Sequence, residues 1–101
     1  MSDTIPNAAL DNFDLGAREY VDGQNQKALE YFDRAIAGFE AYDQAHYMRG
    51  LALLRLGRAD EAVVSLQKTA DITDNVMLRG YARTKVAQVA GGPDALQHHI
   101  H

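Results

Sequence analysis

Residues 47–62 read YMRGLALLRLGRADEA, and their pattern of small and apolar residues matches FDLGAREYVDGQNQKA at residues 13–28, which lies 34 positions earlier. Each stretch carries two glycines and one alanine at corresponding positions: Gly16, Gly23 and Ala28, and Gly50, Gly57 and Ala62. Further residues keep the same interval: Gly57 with Gly91, Phe32 with Leu66, and Phe13 with Tyr47 and Tyr81. A fixed interval of this length predicts one structural unit, copied about two and a half times along the chain.

Each unit contains two stretches whose apolar residues recur every three or four positions, the spacing that lines one face of an α-helix. In the first unit these residues are Leu10, Phe13, Ala17, Tyr20 and Val21, and then Ala28, Leu29, Phe32, Ala35, Ile36 and Phe39. In the second unit they are Tyr47, Leu51, Leu54 and Leu56, and then Ala62, Val63, Leu66 and Ala70. No stretch sustains the period-two alternation of a strand, so the pattern predicts an all-α fold of helical hairpins.

The repeated glycines have two different physical roles. Gly23 and Gly57 lie between the two helical stretches, where a chain reversal favours a residue that takes positive φ without a Cβ clash. Gly16 and Gly50 lie inside a helix, where glycine costs about 1 kcal/mol relative to alanine, so a second helix is expected to approach closely there. We expect the small residues Ala28 and Ala62 to face these glycines across the hairpin. The large residues Phe32 and Leu66 are expected to fill the space between neighbouring hairpins.

The pattern resembles the tetratricopeptide repeat family, whose 34-residue units are antiparallel helix pairs. The residues that carry the resemblance are Gly16, Tyr20, Gly23, Ala28, Phe32 and Ala35 in the first unit, and Gly50, Leu54, Gly57, Ala62 and Leu66 in the second. The resemblance implies a short α-solenoid in which such hairpins stack side by side. The predicted organisation is a flexible tail at residues 1–7 and a single domain at 8–101, with repeats at about 9–42 and 43–76 and a partial, capping repeat at about 77–100.

The third unit contains only the first helix of the pair. Apolar spacing predicts this helix from Val76 to Ala90, and Gly91, Gly92 and Pro93 are predicted to end it. Its basic outer residues are typical of a terminal repeat, which must present a polar surface to solvent. We therefore expect this helix to close the stack.

In the family, the first helix of each unit builds the inner wall of a concave groove. The resemblance places these residues on that wall: Phe13, Ala17, Tyr20, Tyr47, Met48, Leu51, Leu54, Arg55, Leu78, Tyr81 and Lys85. Phe13, Tyr47 and Tyr81 would then form a row of aromatic rings, suited to an extended or helical peptide because aromatic side chains concentrate binding energy. The alternative is that these rings only pack helices together, as aromatic residues at helical spacing often do.

The resemblance implies a non-catalytic scaffold for protein–protein interaction that holds a peptide or protein segment in the groove. The alternative is a module for homo-oligomerisation, such as a homodimer, in which another copy covers the groove or the complementary ends. Some family members grip chaperone tails with lysine and asparagine, but this chain has other residue types at those positions: Phe13, Ala17, Met48, Leu78 and Ala82. A ligand with apolar anchors and an acidic residue fits better, because Arg55 and Lys85 flank the groove.

Net charge and the absence of motifs limit the other classes of function. The net charge is −4, with eight acids and three bases in residues 1–40 but one acid and three bases in residues 76–101. Without a concentrated basic face, nucleic-acid binding is not expected. Arg49 and Arg83, which share the 34-residue interval, are expected to pair with acids on adjacent helices.

No phosphate loop, nucleophile motif or paired metal ligands occur in the sequence, so we expect no enzyme activity, no cofactor and no metal site. Three histidines near the C-terminus could take up nickel or zinc loosely but are expected to form only a terminal tail: His98, His99 and His101. No cysteine, secretory segment or membrane-spanning stretch is present, and the expected location is the cytoplasm, away from membranes.

Overall fold

The computed structural model describes residues 4–100, and side chains up to Gly91. It contains five α-helices: α1 (Asn7–Val21), α2 (Asn25–Gly38), α3 (Asp43–Arg55), α4 (Ala59–Ile72) and α5 (Val76–Ile100). None of the described residues forms a strand. The all-α prediction is therefore confirmed.

The helices pack in chain order. Each helix lies against the next, and α1 also contacts α3. The pairs α1–α2 and α3–α4 are therefore two hairpins that stack side by side, and α5 packs on the outer hairpin through α4. This sequential packing is that of a short helical solenoid, because each unit contacts only its neighbours.

Both hairpins turn in the same way, at the repeated glycines. Gly23 has a φ of 80°, its N–H donates to the Tyr20 carbonyl at 3.1 Å, and the N–H of Gln24 donates to the Glu19 carbonyl at 2.8 Å. This pair of bonds is a Schellman motif, which satisfies carbonyls at the helix end and requires a left-handed residue. Gly57, with a φ of 76°, ends α3 with the equivalent pair of bonds.

A large side chain of the second helix covers the glycine in the middle of the first helix. A Cβ atom on Gly16 would lie 2.6 Å from the Phe32 ring, and one on Gly50 would lie 2.8 Å from the Leu66 side chain. The expected close approach is confirmed, and the Ala62 carbonyl lies 3.3 Å from a Cβ on Gly50, as expected of a facing residue. The nearest atoms, however, belong to Phe32 and Leu66, because a bare glycine leaves room for a whole ring or isobutyl group. Phe32 thus covers the glycine of its own hairpin and also belongs to the cluster between the hairpins.

Two clusters of buried side chains form the core. One joins the two hairpins, and its buried members are Ala28, Leu29, Phe32, Ala52, Leu53 and Ala62. The other lies where α2 leads into α3, and its buried members are Ala9, Ala35, Tyr42 and Ala45. Alanine predominates in both, so the helices approach one another closely and a few large residues fill the remaining space.

Polar contacts complement this apolar packing between the hairpins. Arg49 on α3 donates from Nε to the Asp33 carboxylate of α2 at 2.6 Å and from Nη1 to the Ser65 hydroxyl of α4 at 2.6 Å. The predicted pairing of Arg49 with an acid on an adjacent helix is confirmed. For Arg83 no ion pair is formed within the described side chains.

Helix α5 begins with a side-chain cap and runs further than expected. The Asn75 side chain accepts a hydrogen bond from the Leu78 N–H at 3.1 Å. The predicted end at Gly91, Gly92 and Pro93 is wrong, because the helix continues to Ile100. A proline removes one backbone donor and crowds the preceding turn, so it can bend a helix without ending it.

None of the described helices combines the length and hydrophobicity needed to cross a bilayer.

Candidate functional site

The residues predicted for the groove all come from α1, α3 and α5, and we call the surface that they form the first-helix face. Arg55 and Tyr81 are exposed, whereas Leu78 is buried and belongs to the core. The other predicted residues are partly buried: Phe13, Ala17, Tyr20, Tyr47, Met48, Leu51, Leu54 and Lys85. Most of the face is therefore neither fully exposed nor part of the core.

Three tyrosines from successive units lie on this face, within electrostatic range of one another. Burial raises the pKa of the Tyr47 hydroxyl above its usual value of 10.0, and the neighbouring Tyr20 and Tyr81 hydroxyls raise it further, because phenolates repel one another. Tyr47 thus interacts electrostatically with a tyrosine of α1 and with one of α5. Of the three, Tyr81 is 52% exposed, so its ring is accessible from solvent.

Arg55 orients the first of these rings. Its guanidinium carbon lies 3.6 Å from the centroid of the Tyr20 ring, and its Nη1 donates to the Tyr20 carbonyl at 2.9 Å. A cation over an aromatic face is worth about 0.5–1 kcal/mol at an exposed site. Because Arg55 is on α3 and Tyr20 on α1, this contact also joins the two hairpins. The tyrosine cluster is hereafter Tyr20, Tyr47 and Tyr81 together with Arg55.

Phe13 has a different environment from that expected of a row with Tyr47 and Tyr81. Its ring stacks on Tyr42 at 5.0 Å between centroids and tilts against Phe32 at 5.8 Å. It packs against both buried clusters, so its ring is engaged in holding α1 to α2 and to the start of α3. Tyr20, two turns later on α1, is a tyrosine of the first unit that interacts electrostatically with Tyr47.

The 34-residue interval could not reveal the role of Tyr20. The equivalent position in the second unit is Leu54, so no aromatic series passes through Tyr20. The contact with Arg55 likewise joins residues 35 positions apart in different helices, and only the stacking of the hairpins brings them together. The family resemblance nevertheless predicted Tyr20 for the groove wall, on the same face as Ala17.

The tyrosine cluster carries groups that can take part in binding. The phenol tips can donate and accept hydrogen bonds, the rings offer apolar surface, and Arg55 supplies a positive charge. Up to Gly91, the side chains include no group of three acidic or histidine residues placed to hold a metal ion. The C-terminal histidines considered above lie outside the side chains that the structure describes.

Comparison with known proteins identifies the repeat. The family model described as tetratricopeptide repeat matches residues 13–75, which include both hairpins from Phe13 onward. No curated protein and no solved structure matches the chain.

Proposed function

Because the chain belongs to the tetratricopeptide repeat family, we propose that it holds a segment of a partner protein on its first-helix face, without catalysis. Repeats of this family generally mediate protein–protein interaction and are typically non-catalytic. A chain without cysteine is compatible with the reducing cytoplasm, where we place the interaction.

The tyrosine cluster is the single observation that carries this proposal. Three tyrosines from three units lie within electrostatic range of one another on this face, and Tyr47 is partly buried. Aromatic residues at the centre of a surface, shielded by others, are the usual hot spots of protein recognition. A partner segment that runs across the helices could contact all three rings in turn.

The charges near the cluster favour a particular kind of segment. Arg55 is exposed although it contacts Tyr20, and Lys85 of α5 is partly buried without a hydrogen bond or ion pair to the described side chains. An acidic residue of the partner would find both cations available. We therefore propose a segment with apolar anchors for the rings and at least one carboxylate for Arg55 or Lys85.

The test begins by identifying what contacts the face. A photo-crosslinking amino acid in place of Tyr81 would capture the partner in the native host, and mass spectrometry would give the attached segment. The affinity of that segment would then be measured for the unmodified chain, for Tyr47→Ala, and for Tyr31→Ala as a control on α2, outside the first-helix face. We expect Tyr47→Ala to weaken binding by at least about tenfold, as truncating a hot spot does, and Tyr31→Ala to leave it unchanged. Equal affinities of both variants would contradict the proposal.

Homo-oligomerisation is a second candidate, and one observation favours it. Leu15 of α1 occupies the position that Arg49 occupies in the second unit. Arg49 is hydrogen-bonded to residues of α2 and α4, whereas Leu15 is 40% exposed to solvent. A second copy could cover the side of α1 that carries Leu15, and the acidic start and basic end of the chain would assist head-to-tail contact. Light scattering at high micromolar concentration tests this, and a strict monomer would exclude it.

A further inference from the structure

Helix α5 exposes the face that α1 and α3 bury against the second helix of their hairpins. Gly16 of α1 lies under Phe32 of α2, and Gly50 of α3 lies under Leu66 of α4. The 34-residue interval places Thr84 of α5 at the same position, and Thr84 is exposed. Because α5 is the last described element, no described segment provides a second helix for the third unit.

A cleft between α4 and α5 marks the space that such a helix would occupy. Val86 and Ala87 line it from α5, and Val86 is partly buried whereas Ala87 is exposed. They correspond to Ala52 and Leu53 of α3, which are fully buried in the cluster that also contains Ala62 of α4. The third unit therefore lacks the cover that α4 gives to the second. The cleft has a volume of about 420 Å³, and its lining residues are Gln67, Ala70, Asp71, Arg83, Val86 and Ala87.

The uncovered surface of α5 is uncharged along its centre. We call it the open face of α5, and its residues, which recur at three- and four-residue intervals, are Met77, Gly80, Tyr81, Thr84 and Ala87. Met77 is 66% exposed, and nothing lies within 4 Å of a Cβ placed on Gly80. At the edge of the face, Arg83 and Asp71 contribute one charge of each sign to the cleft. A surface that suits this face is therefore mainly apolar.

The helices of a second copy do not suit this face. The exposed sides of α1, α2 and α4 carry charged side chains, for example Asp11, Glu30 and Asp60. Burying such charges against an uncharged surface costs free energy. Two α5 helices would bring like charges together, because α5 has three bases and no acid in residues 76–91, and Asp71 and Asp74 offset only two of them. This leaves a helix of another protein.

We propose that the open face of α5 binds an amphipathic α-helix of a partner protein, which takes the place of the second helix in a third hairpin. Continuity with the hairpins α1–α2 and α3–α4 supports this occupant, because the chain itself covers the equivalent face twice with a helix. An apolar side chain of the bound helix packs on Val86 and Ala87 in the cleft. The proposal does not rest on the function proposed for the first-helix face, since its contacts are at Thr84 and in the cleft.

Two features of the third unit define the bound helix further. Thr84 has side-chain atoms in the place of the bare glycine that leaves room for Leu66, so the residue of the bound helix that faces Thr84 is small. Arg49 donates to the Ser65 hydroxyl of α4, whereas its counterpart Arg83 is exposed and forms no ion pair with the described side chains. The bound helix therefore offers a hydroxyl or carboxylate oxygen to Arg83.

The sequence of α4 provides the probe, because α4 covers the equivalent face of α3. Acetylated and amidated peptides of residues 58–73, one unchanged and one with Leu66→Ala, would be titrated into the ¹⁵N-labelled full chain and followed by NMR. We expect the alanine peptide to shift the amides of Gly80, Thr84 and Ala87. It should bind at least about fivefold more tightly than the leucine peptide, which overpacks against Thr84.

Exchanging the sizes of the two facing residues tests the contact itself. On the Thr84→Gly chain the preference should reverse, with the leucine peptide at least about threefold tighter, because glycine restores the space that exists over Gly50. Both peptides are compared on the same chain, so any loss of helix stability caused by the glycine cancels.

Two further variants locate the site. Arg83→Gln should weaken the alanine peptide by about threefold or more, because it removes the donor for the Ser65 hydroxyl of the peptide. Val64→Ala, which alters an exposed residue of α4 outside the cleft, should leave the affinity unchanged.

Any of the following results would overturn the proposal: no shift in α5 up to about 5 millimolar alanine peptide, the same peptide preference on both chains, or equal effects of Arg83→Gln and Val64→Ala. Shifts of α5 signals on raising the protein concentration without peptide would also overturn it, since a second copy then occupies the face. Shifts centred on Gly50 would mean that the peptide replaces α4, and shifts centred on Tyr47 that it binds at the tyrosine cluster. Either result would contradict binding on the open face.

Discussion

The two hairpins have the same backbone plan but different chemistry on their surfaces. In both, a glycine in the first helix lies under a large residue of the second, and a left-handed glycine makes the turn. The exposed side chains differ: Leu15 of α1 is 40% exposed, whereas Arg49, 34 positions later on α3, pairs with Asp33. The positions that repeat therefore determine how each hairpin closes, and the positions that do not repeat determine what it can bind.

The largest expected effect compares the two covering residues. Phe32→Ala should lower the free energy of unfolding by about 3–5 kcal/mol, and Leu66→Ala by about 2–5 kcal/mol, because each leaves a cavity over a glycine that cannot fill it. Both side chains are fully buried. Denaturant unfolding measures the loss, with the exposed Val64→Ala as a control within about 0.5 kcal/mol. A loss below that control level in either variant would show that its hairpin closes without this contact.

A second comparison adds a methyl group to the covered glycines. Gly16→Ala and Gly50→Ala should each destabilise by about 1–2 kcal/mol, because overpacking outweighs the better helix propensity of alanine. Gly80 in α5 is the matched control, since nothing lies within 4 Å of a Cβ placed there. Gly80→Ala should therefore stabilise the chain by up to about 1 kcal/mol. Thermal unfolding of the three variants would give the signs, and stabilisation by all three would refute the close approach.

A third comparison sets the ion pair between hairpins against one within a helix. A double-mutant cycle on Arg49 and Asp33 should give a coupling energy of about 1 kcal/mol. The reason is that the Arg49 side chain is largely buried and is held by a second hydrogen bond, to Ser65. The same cycle on Arg18 and Asp14, both mostly exposed, should give less than about 0.5 kcal/mol. Equal coupling energies would mean that burial of Arg49 adds nothing to its pairing.

The smallest expected effect concerns the pH dependence of stability. Burial, with Lys68 and Arg49, lowers the folded-state pKa of His46 below its usual 6.5, although Glu40 opposes this. As the pH drops below 6.5, His46 is therefore protonated more readily in the unfolded chain than in the folded chain. The free energy of unfolding consequently falls as the pH drops through the folded-state pKa of His46. The variant His46→Gln should show a shallower decline over this range. An unchanged slope in denaturant unfolding at several pH values would count against this contribution.

The helices and turns could be predicted from particular residues. Gly23 and Gly57 mark chain reversals because only glycine adopts positive φ without strain, and the structure has φ values of 80° and 76° there. The end of α5 could not be predicted in the same way. Gly91, Gly92 and Pro93 are breakers by local propensity, but the helix continues beyond them, because propensity is a weak constraint on an individual position.

The candidate site was only partly predictable. Tyr20, Tyr47, Tyr81 and Arg55 were all predicted for the groove wall; Arg55 contacts Tyr20, and the three tyrosines are within electrostatic range of one another. A packing role for Phe13 was the alternative left open for the aromatic row, but its contact with Tyr42 could not be predicted, because Tyr42 lies in the connection between α2 and α3. Whether the predicted residues bind a partner, and where the domain boundaries lie, stays a prediction.

By itself the sequence determined the repeat, the helices, the turns and the positions of close approach. These features depend on local spacing and on the conformational freedom of single glycines, which act within one unit. Only the tertiary structure decided that Arg55 lies over Tyr20 and that His46, Arg49 and Lys68 share a cleft. Those contacts join residues on different helices, so their geometry depends on the orientation and offset of one helix against the next. Side-chain packing, and not local spacing in the sequence, sets that orientation and offset.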